Sequence, residues 1–224
     1  MVKAIPSRDL SLAELQEQFD LQRADQPDFF PEWQTSGAIA FGSAQSAIAS
    51  ATEKQQLQRI QQNYLNLASR KVFSEEAVKM VVLSPLLDLA GFYQAPFGIQ
   101  TEEPIELKAE EGNVVVKGNI DVLVVLRQFW VLVVESKSTQ FDVLTALPQA
   151  LSYMLTSPNP ERPVYGLLVN GREFVFVKVS RQPQCIYARS YALSVERDDD
   201  LQHVLDILKW IRQTLSQSSQ QPYQ

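Results

Sequence analysis

Three charged residues, Asp121, Glu135 and Lys137, border two apolar segments that follow one another along the chain. The segments, residues 120–126 and 130–134, are rich in Val and Leu, which favours strands of a sheet covered on both faces. Carboxylates and an ammonium group are costly to bury there unless they bind a metal ion or take part in chemistry. We therefore treat these three residues as candidates for a functional site.

A hairpin with a three-residue loop at residues 127–129 would bring the three charges together. In that register Asp121 lies directly opposite Glu135, with the two Cβ atoms about 5 Å apart. Lys137 shares the face of Glu135, whereas Ser136 points to the other face. A two-residue loop would instead turn Asp121 to the opposite face, because side chains alternate along a strand. The predicted site therefore depends on the register of this hairpin.

Two carboxylates that converge near the end of a sheet suit a hard divalent cation such as Mg²⁺ or Mn²⁺. One or two carboxylates usually hold Mg²⁺, and water and phosphate oxygens complete its coordination shell. A neighbouring Lys can position or deprotonate a water molecule and offset charge on a phosphate. The alternative is a structural ion pair between Lys137 and one carboxylate, although such a pair adds little net stability in apolar surroundings.

The string IDVLVV…WVLVVESK, residues 120–137, resembles the core motif of the PD-(D/E)xK nuclease superfamily. Over residues 71–180 the chain looks most like the N-terminal nuclease domain of type I restriction enzyme R subunits and their standalone, cyanobacterial-like relatives. The resemblance implies an α/β fold of the restriction-endonuclease-like type. Such a fold has a central mixed β-sheet flanked by helices, here with an N-terminal helical extension.

The resemblance also implies roles for individual residues. Asp121 and Glu135 would bind Mg²⁺ or Mn²⁺, and the main-chain carbonyl of Ser136 would be an additional metal ligand. Lys137 would activate or position the attacking water. The proline of the superfamily name is replaced by Ile120, a departure that is common in this superfamily.

A helix is predicted upstream, in the string SEEAVKMVVLSPLLDLAGFY, residues 74–93. Ser74 is a good N-cap, apolar residues recur at helical spacing, and Gly91 marks the end. Members of the family carry a Glu on this helix that reaches the metal site, and the match assigns that role to Glu75, with Glu76 as second choice. Without the resemblance, both are ordinary acidic residues of a first helical turn, where the helix dipole favours them.

A second helix is predicted in LPQALSYML, residues 147–155, where Gln149 and Tyr153 share one face. A Gln-x-x-x-Tyr pair on the helix after the Glu-x-Lys strand resembles a motif of the RecB-like branch of these nucleases. This resemblance implies that Gln149 and Tyr153 order the site and bind substrate. An amphipathic surface helix would give the same spacing. Farther along, Asn170 and Gly171 lie between two apolar runs and predict a type I′ hairpin.

Composition narrows the class of protein. The net charge is −6 and the chain has one Cys and one His, which argues against a disulfide framework or a zinc site and favours a cytoplasmic location. The sequence has no apolar run of about 18 residues, so no membrane span is predicted. It also has no GxxxxGK[ST] phosphate loop. DNA-binding proteins usually present a basic face. Since this chain is acidic overall, either its Lys and Arg residues are clustered on one face or a partner protein provides the contacts with DNA. A Gln-rich amphipathic helix at residues 52–70 is a candidate surface for a homodimer.

We therefore predict three parts: an N-terminal helical and loop extension packed on the core (1–70), a nuclease-like domain (71–215) and a disordered tail (216–224). The predicted function is that of a Mg²⁺-dependent DNA endonuclease, a phosphodiesterase that uses the Asp and Glu-x-Lys residues. The alternative is a non-catalytic nucleic-acid-binding or assembly module on the same fold, since fold alone does not establish activity. The acidic composition favours that alternative.

Overall fold

The computed structural model describes residues 3–24, 51–108, 114–127, 129–197 and 199–218. Within these ranges nine strands form one mixed sheet. The strands are β1 (Lys3–Pro6), β2 (Gln22–Arg23), β3 (Phe97–Lys108), β4 (Val114–Leu126), β5 (Phe129–Ser136), β6 (Val164–Val169), β7 (Glu173–Ser180), β8 (Ile186–Arg189) and β9 (Leu193–Ser194). The helices are α1 (Leu12–Phe19), α2 (Ala51–Ala68), α3 (Glu75–Val78), α4 (Ser84–Leu89), α5 (Leu147–Leu155) and α6 (Asp200–Ser218).

Helices cover both faces of this sheet. On one face α2, α3, α4 and α6 pack over side chains such as Val124 and Leu132, and on the other α1 and α5 pack over Leu123 and Val133. Each fully buried aliphatic side chain stabilises the fold by roughly 1.5–3 kcal/mol. The predicted architecture, a central mixed sheet flanked by helices, is therefore confirmed. None of the helices in the described ranges is long and apolar enough to cross a bilayer.

Strand β4 organises the part of the sheet that matters for function. Strand β3 pairs with β4 along one edge, from Val115 to Leu126. On the other edge, β1 runs parallel to residues 114–117 and β5 runs antiparallel to residues 122–126. Since β1 and β5 share this edge, residues 118–121 of β4 form a gap between the two paired segments. Asp121 lies in that gap.

The N-terminal region contains strands as well as the predicted helices and loops. Strands β1 and β2 belong to the central sheet, next to β4 and β8 respectively. Residues 25–50 of the predicted extension and residues 219–224 of the predicted tail lie outside the described residues, whereas α6 continues to Ser218. The division of the chain at residue 70 stays a prediction.

The hairpin between β6 and β7 has a different turn from the predicted one. Three residues, Asn170, Gly171 and Arg172, separate the strands, and Gly171 has a left-handed φ of 86°. Asn170 is not left-handed, which excludes the type I′ turn. Its side-chain Oδ1 instead accepts hydrogen bonds from the backbone N–H groups of Arg172 and Glu173, and this Asx-type arrangement fixes the turn.

Candidate functional site

The β4–β5 hairpin reaches the predicted register by an unexpected route. Only residues 127 and 128 separate the strands, and residue 128 lies outside the described ranges, so the predicted three-residue loop is wrong. Val125 pairs with Trp130, but Val124 pairs with Leu132. One extra residue on β5 is therefore inserted at this point, which is a β-bulge.

The bulge restores the register that the shorter loop would have lost. Beyond it, Val122 pairs with Val134, and the same register continued by one residue puts Asp121 across from Glu135. A two-residue loop without a bulge would have shifted every later pair by one residue. The two-residue loop and the extra residue of the bulge together replace the predicted three-residue loop. The carboxylates of Asp121 and Glu135 therefore face each other across the two strands.

Asp121 lies where β4 changes the direction of its side chains. Ile120 and Leu123 both pack into the core beneath α5 although they are three residues apart, so the regular alternation is broken between them. The Asp121 side chain is 13% exposed, and its Oδ2 accepts hydrogen bonds from Ser136 N at 2.7 Å and Ser136 Oγ at 2.6 Å. Its Oδ1 accepts a hydrogen bond from Lys79 Nζ at 2.9 Å. The carboxylate is thus held between β5 and the helix that carries Lys79.

Glu135 is more deeply buried and less completely bonded. Its side chain is 1% exposed, and Oε1 accepts a hydrogen bond from Lys137 Nζ at 2.6 Å. Its other oxygen, Oε2, is buried and has no hydrogen-bond partner among the described residues. Burial, with a smaller contribution from Asp121, raises the pKa of Glu135 to about 8, although Lys137 acts in the opposite direction.

Lys137 begins a chain of side-chain hydrogen bonds across the cleft. Its Nζ also donates to Gln149 Oε1 at 3.3 Å, and Gln149 Nε2 donates to Tyr153 Oη at 2.8 Å. Tyr153 Oη lies 2.9 Å from Ser7 Oγ. Burial raises the pKa of Tyr153 to about 12. Tyr153 is fully buried and supports Gln149, and its predicted contact with substrate stays a prediction.

Ser7 was not identified from the sequence, and it completes one wall of the cleft. It follows β1, which the parallel pairing with β4 brings beside Gly118. A Cβ atom at Gly118 would lie 2.7 Å from Tyr153 Oη and closer still to Ser7 Oγ, so only glycine allows this approach. In the sequence, the signal for this close approach is Gly118 itself.

The upstream helix presents Glu75 rather than Glu76 to the site. Ser74 is the predicted N-cap, since its Oγ accepts a hydrogen bond from Ala77 N at 3.2 Å. Glu75 lines the cleft, and its charge contributes to the raised pKa of Glu135, whereas Glu76 is exposed outside the cleft.

A single cleft of about 840 Å³ brings the predicted side chains together. Those that line it are Glu75, Asp121, Glu135, Lys137, Gln149 and Tyr153. Glu102 and Glu106 also line it. Ser136 is buried and is not one of the lining residues, but its main-chain carbonyl accepts a hydrogen bond from Lys137 Nζ at 3.2 Å.

The donor atoms fit a hard cation in chemical type. Asp121 and Glu135 offer carboxylate oxygens, Ser136 offers a carbonyl, and the unpartnered Glu135 Oε2 is a free ligand position. Within the described residues, however, no group of three or more His, Cys, Asp or Glu side chains is arranged to hold a metal ion. The ammonium groups of Lys79 and Lys137 instead pair with the two carboxylates. A bound cation would therefore need ligands beyond the carboxylates, as Mg²⁺ sites that include water and phosphate have.

Comparisons with known proteins add little to this geometry. No protein-family model matches the chain, and no curated protein matches it. One similar solved structure is a fragment of a protein described as an HsdR subunit of a type I restriction enzyme from Vibrio vulnificus YJ016, with a TM-score of 0.37 and 21% identity. The match covers 47% of this chain and 21% of the HsdR chain. It therefore spans only about a fifth of the length of the HsdR chain. A likeness at this level does not establish the family or the activity.

Proposed function

We propose that this protein is a Mg²⁺- or Mn²⁺-dependent endonuclease that hydrolyses phosphodiester bonds in DNA, on a fold of the restriction-endonuclease type. The supporting observation is that Asp121, Glu135 and Lys137 line one cleft in which Glu135 Oε2 is buried and, within the described part of the chain, has no hydrogen-bond partner. Leaving a buried polar atom unsatisfied costs about 1–3 kcal/mol, so buried polar atoms in proteins are normally bonded. An open carboxylate oxygen beside a second carboxylate is what a cation site requires.

The cation would be held by the carboxylates of Asp121 and Glu135 and by the main-chain carbonyl of Ser136. Glu75 would hold a water molecule or a second cation from the helix side of the cleft. When bound, the cation supplies positive charge that polarises a phosphate oxygen and lowers the cost of forming a nucleophile from water. The protein contributes a fixed orientation, since Ser136 holds one oxygen of Asp121 with two hydrogen bonds.

Lys137 would orient the attacking water and offset negative charge on the phosphate. Its Nζ is fixed by Glu135 on one side and by Gln149 on the other, so the amine is held in place before substrate arrives. Tyr153 accepts a hydrogen bond from Gln149 in turn, and Ser7 is hydrogen-bonded to Tyr153. Such advance positioning is the part of catalysis that the residues of a binding cleft can supply.

A plasmid-nicking assay with Mg²⁺ or Mn²⁺ tests this proposal. Asp121→Ala and Lys137→Ala should each lower the rate by at least about 100-fold, the loss typical of removing a group that stabilises transition-state charge. Glu103→Ala and Lys71→Ala are matched controls, because they remove charges that do not line the cleft and should leave the rate unchanged. Equal activity in all five proteins would contradict the proposal. Duplex DNA, single-stranded DNA and RNA supplied in parallel identify the substrate class.

A non-catalytic module is the second candidate function. It is favoured by the ion pairs in the cleft, because Lys79 and Lys137 already balance Asp121 and Glu135. The net charge of −6 also works against electrostatic binding of DNA by this chain alone. Calorimetry with Mn²⁺ separates the two candidates. Absence of binding, or binding that Glu135→Ala does not weaken, favours the module.

A further inference from the structure

A second lysine, Lys79, lies at the carboxylate site although it is not part of the Asp and Glu-x-Lys pattern. It follows Glu75 by four residues and begins a π-helical turn, Lys79–Leu83, that joins α3 to α4. Turns of this kind are frequent at functional sites. The Lys79 side chain is 22% exposed, and its Nζ lies 2.9 Å from Asp121 Oδ1 and 3.5 Å from a carboxylate oxygen of Glu102.

The contact is made with the one oxygen of Asp121 that Ser136 leaves free. Both hydrogen bonds from Ser136 go to Oδ2, so a cation that binds Asp121 has to reach Oδ1, the atom that Lys79 holds. Burial lowers the pKa of Lys79, but the hydrogen bond and charge of Asp121, helped by Glu102, raise it by more, so the amine is charged. An ammonium group and a divalent cation repel each other strongly at such distances.

Glu102 offers Lys79 a second acceptor nearby. Thr101 pairs with Val122 and Glu103 with Ile120, so Glu102 is the β3 residue across from Asp121. Glu102 has a left-handed φ of 54°, an uncommon conformation for a residue with a long side chain. Its carboxylate already lies 3.5 Å from Lys79 Nζ, so a small movement of the amine would transfer it from one acid to the other.

We propose that Lys79 is a positioning residue that holds Asp121 while the site is free of metal and shifts onto Glu102 when a divalent cation binds. This inference rests on the cation site of the proposed function. Lys79 competes with the cation for Asp121 Oδ1, and Glu102 weakens that competition by accepting the displaced amine. The pair thereby sets how tightly the cleft binds its cation.

Titration calorimetry with Mn²⁺ on the full chain tests the competition. Lys79→Gln should bind Mn²⁺ about tenfold more tightly or better, since it removes a unit charge next to the ligand oxygen. Lys79→Arg keeps the charge and should stay within about twofold of the unmodified protein, given that a charge at the same place is what competes. Circular dichroism checks that each variant is folded. A purely structural Lys79 would instead give weaker or unchanged Mn²⁺ binding in Lys79→Gln.

Glu102 is tested by a double-mutant cycle with Lys79. Glu102→Gln should weaken Mn²⁺ binding several-fold, about 1 kcal/mol, in the unmodified protein and have no effect in the Lys79→Gln background. If Glu102 were a metal ligand, its loss would weaken binding in both backgrounds. Glu103→Gln is the matched control, because it makes the same charge change next along β3 at a residue that does not line the cleft.

The outcomes distinguish this inference from the proposed function. Mn²⁺ binding that depends on Glu135 but is not tightened by Lys79→Gln overturns the role of Lys79 and leaves the proposed cation site standing. No Mn²⁺ binding by the unmodified protein or by Lys79→Gln overturns both.

Discussion

Asn170, in the turn after β6, and Glu135, in the neighbouring strand β5, are both polar and almost fully buried, yet they are bonded very differently. Asn170 is 0% exposed, its Oδ1 accepts from Arg172 N at 3.1 Å and Glu173 N at 2.8 Å, and its Nδ2 donates to Phe141 O at 2.9 Å. Glu135 is 1% exposed and one of its two oxygens has no partner among the described residues.

The difference separates a structural polar group from a candidate reactive one. Glu135 lies in β5 and Asn170 in the turn after the neighbouring strand β6, and both are buried, so burial alone does not distinguish them. The Asn170 amide uses both its oxygen and its nitrogen to fix a turn and a neighbouring loop. The Glu135 carboxyl group keeps an acceptor free and faces a cleft, which is costly for stability and useful for binding a cation.

The largest expected difference between the two residues is in catalysis. Glu135→Gln keeps the size of the side chain but removes the charge, and should lower Mg²⁺-dependent cleavage by about 1000-fold or more. Asn170→Asp is the counterpart at the structural position and should retain cleavage activity in the fraction that is folded. Nicking rates per folded molecule measure both effects. A similar loss of activity in both variants would show that Glu135 and Asn170 do not differ in their contribution to catalysis.

The next effect is on stability as a function of pH. The pKa of Glu135 is about 8 in the folded protein and 4.5 without burial, so between these values the folded state holds a proton that the unfolded state has lost. Stability contributed by this group therefore falls as pH rises from about 4.5 to 8, by up to about 1.4 kcal/mol per pH unit, and is level below and above that window.

Urea unfolding at several pH values checks this dependence. In metal-free buffer, Glu135→Gln should gain stability relative to the unmodified protein as the pH is raised from 5 to 8, because Gln does not ionise. A constant difference between the two proteins over this window would show that the Glu135 carboxyl group is not shifted.

A smaller loss is expected from Asn170→Ala. Removing the amide leaves two backbone N–H groups and one carbonyl without their partner, at about 1 kcal/mol each, so the free energy of unfolding should fall by about 3 kcal/mol. Urea denaturation measures the loss. Asn66→Ala, at an exposed position of α2, is the control and should change stability by less than about 0.5 kcal/mol.

The smallest effect tests whether the bonded chain that supports Lys137 acts as a unit. Ser7→Ala removes one hydrogen bond to Tyr153 and should cost about 1 kcal/mol of stability. In the Tyr153→Phe background, where that bond is already lost, Ser7→Ala should cost almost nothing. Additive losses in the double variant would show that Ser7 and Tyr153 act independently.

Local sequence patterns predicted strands β4 and β5 and the pairing of Asp121 with Glu135, but not the way in which the pairing arises. Arg127 adopts a left-handed φ of 57° after β4, and the bulge follows on β5. An unbroken run of apolar residues contains no marker for a bulge, because any of its side chains can occupy the extra position. The register was therefore predicted through the wrong loop length.

The parts of the site that the sequence did not predict come from distant or ambiguous residues. Ser7 meets Gly118 and Tyr153 only because β1 pairs with β4, and a four-residue strand leaves no periodic signal that names its partner. Lys79 was visible as a basic residue one turn after Glu75. Its spacing is equally typical of a solvated helix face, so only the folded chain associates it with Asp121.

The position of β1 has a consequence for the order in which the protein folds. The hydrogen bond from Ser7 to Tyr153 joins residues 146 positions apart, whereas β4 and β5 are adjacent in the chain. Closing a long loop costs more entropy than closing a hairpin, and contacts of that kind form late. We expect pulsed hydrogen exchange to protect the amides of β5 before those of β1. The carboxylates would then be in place while their cleft still lacks a wall, and the first strand of the chain would be among the last to dock.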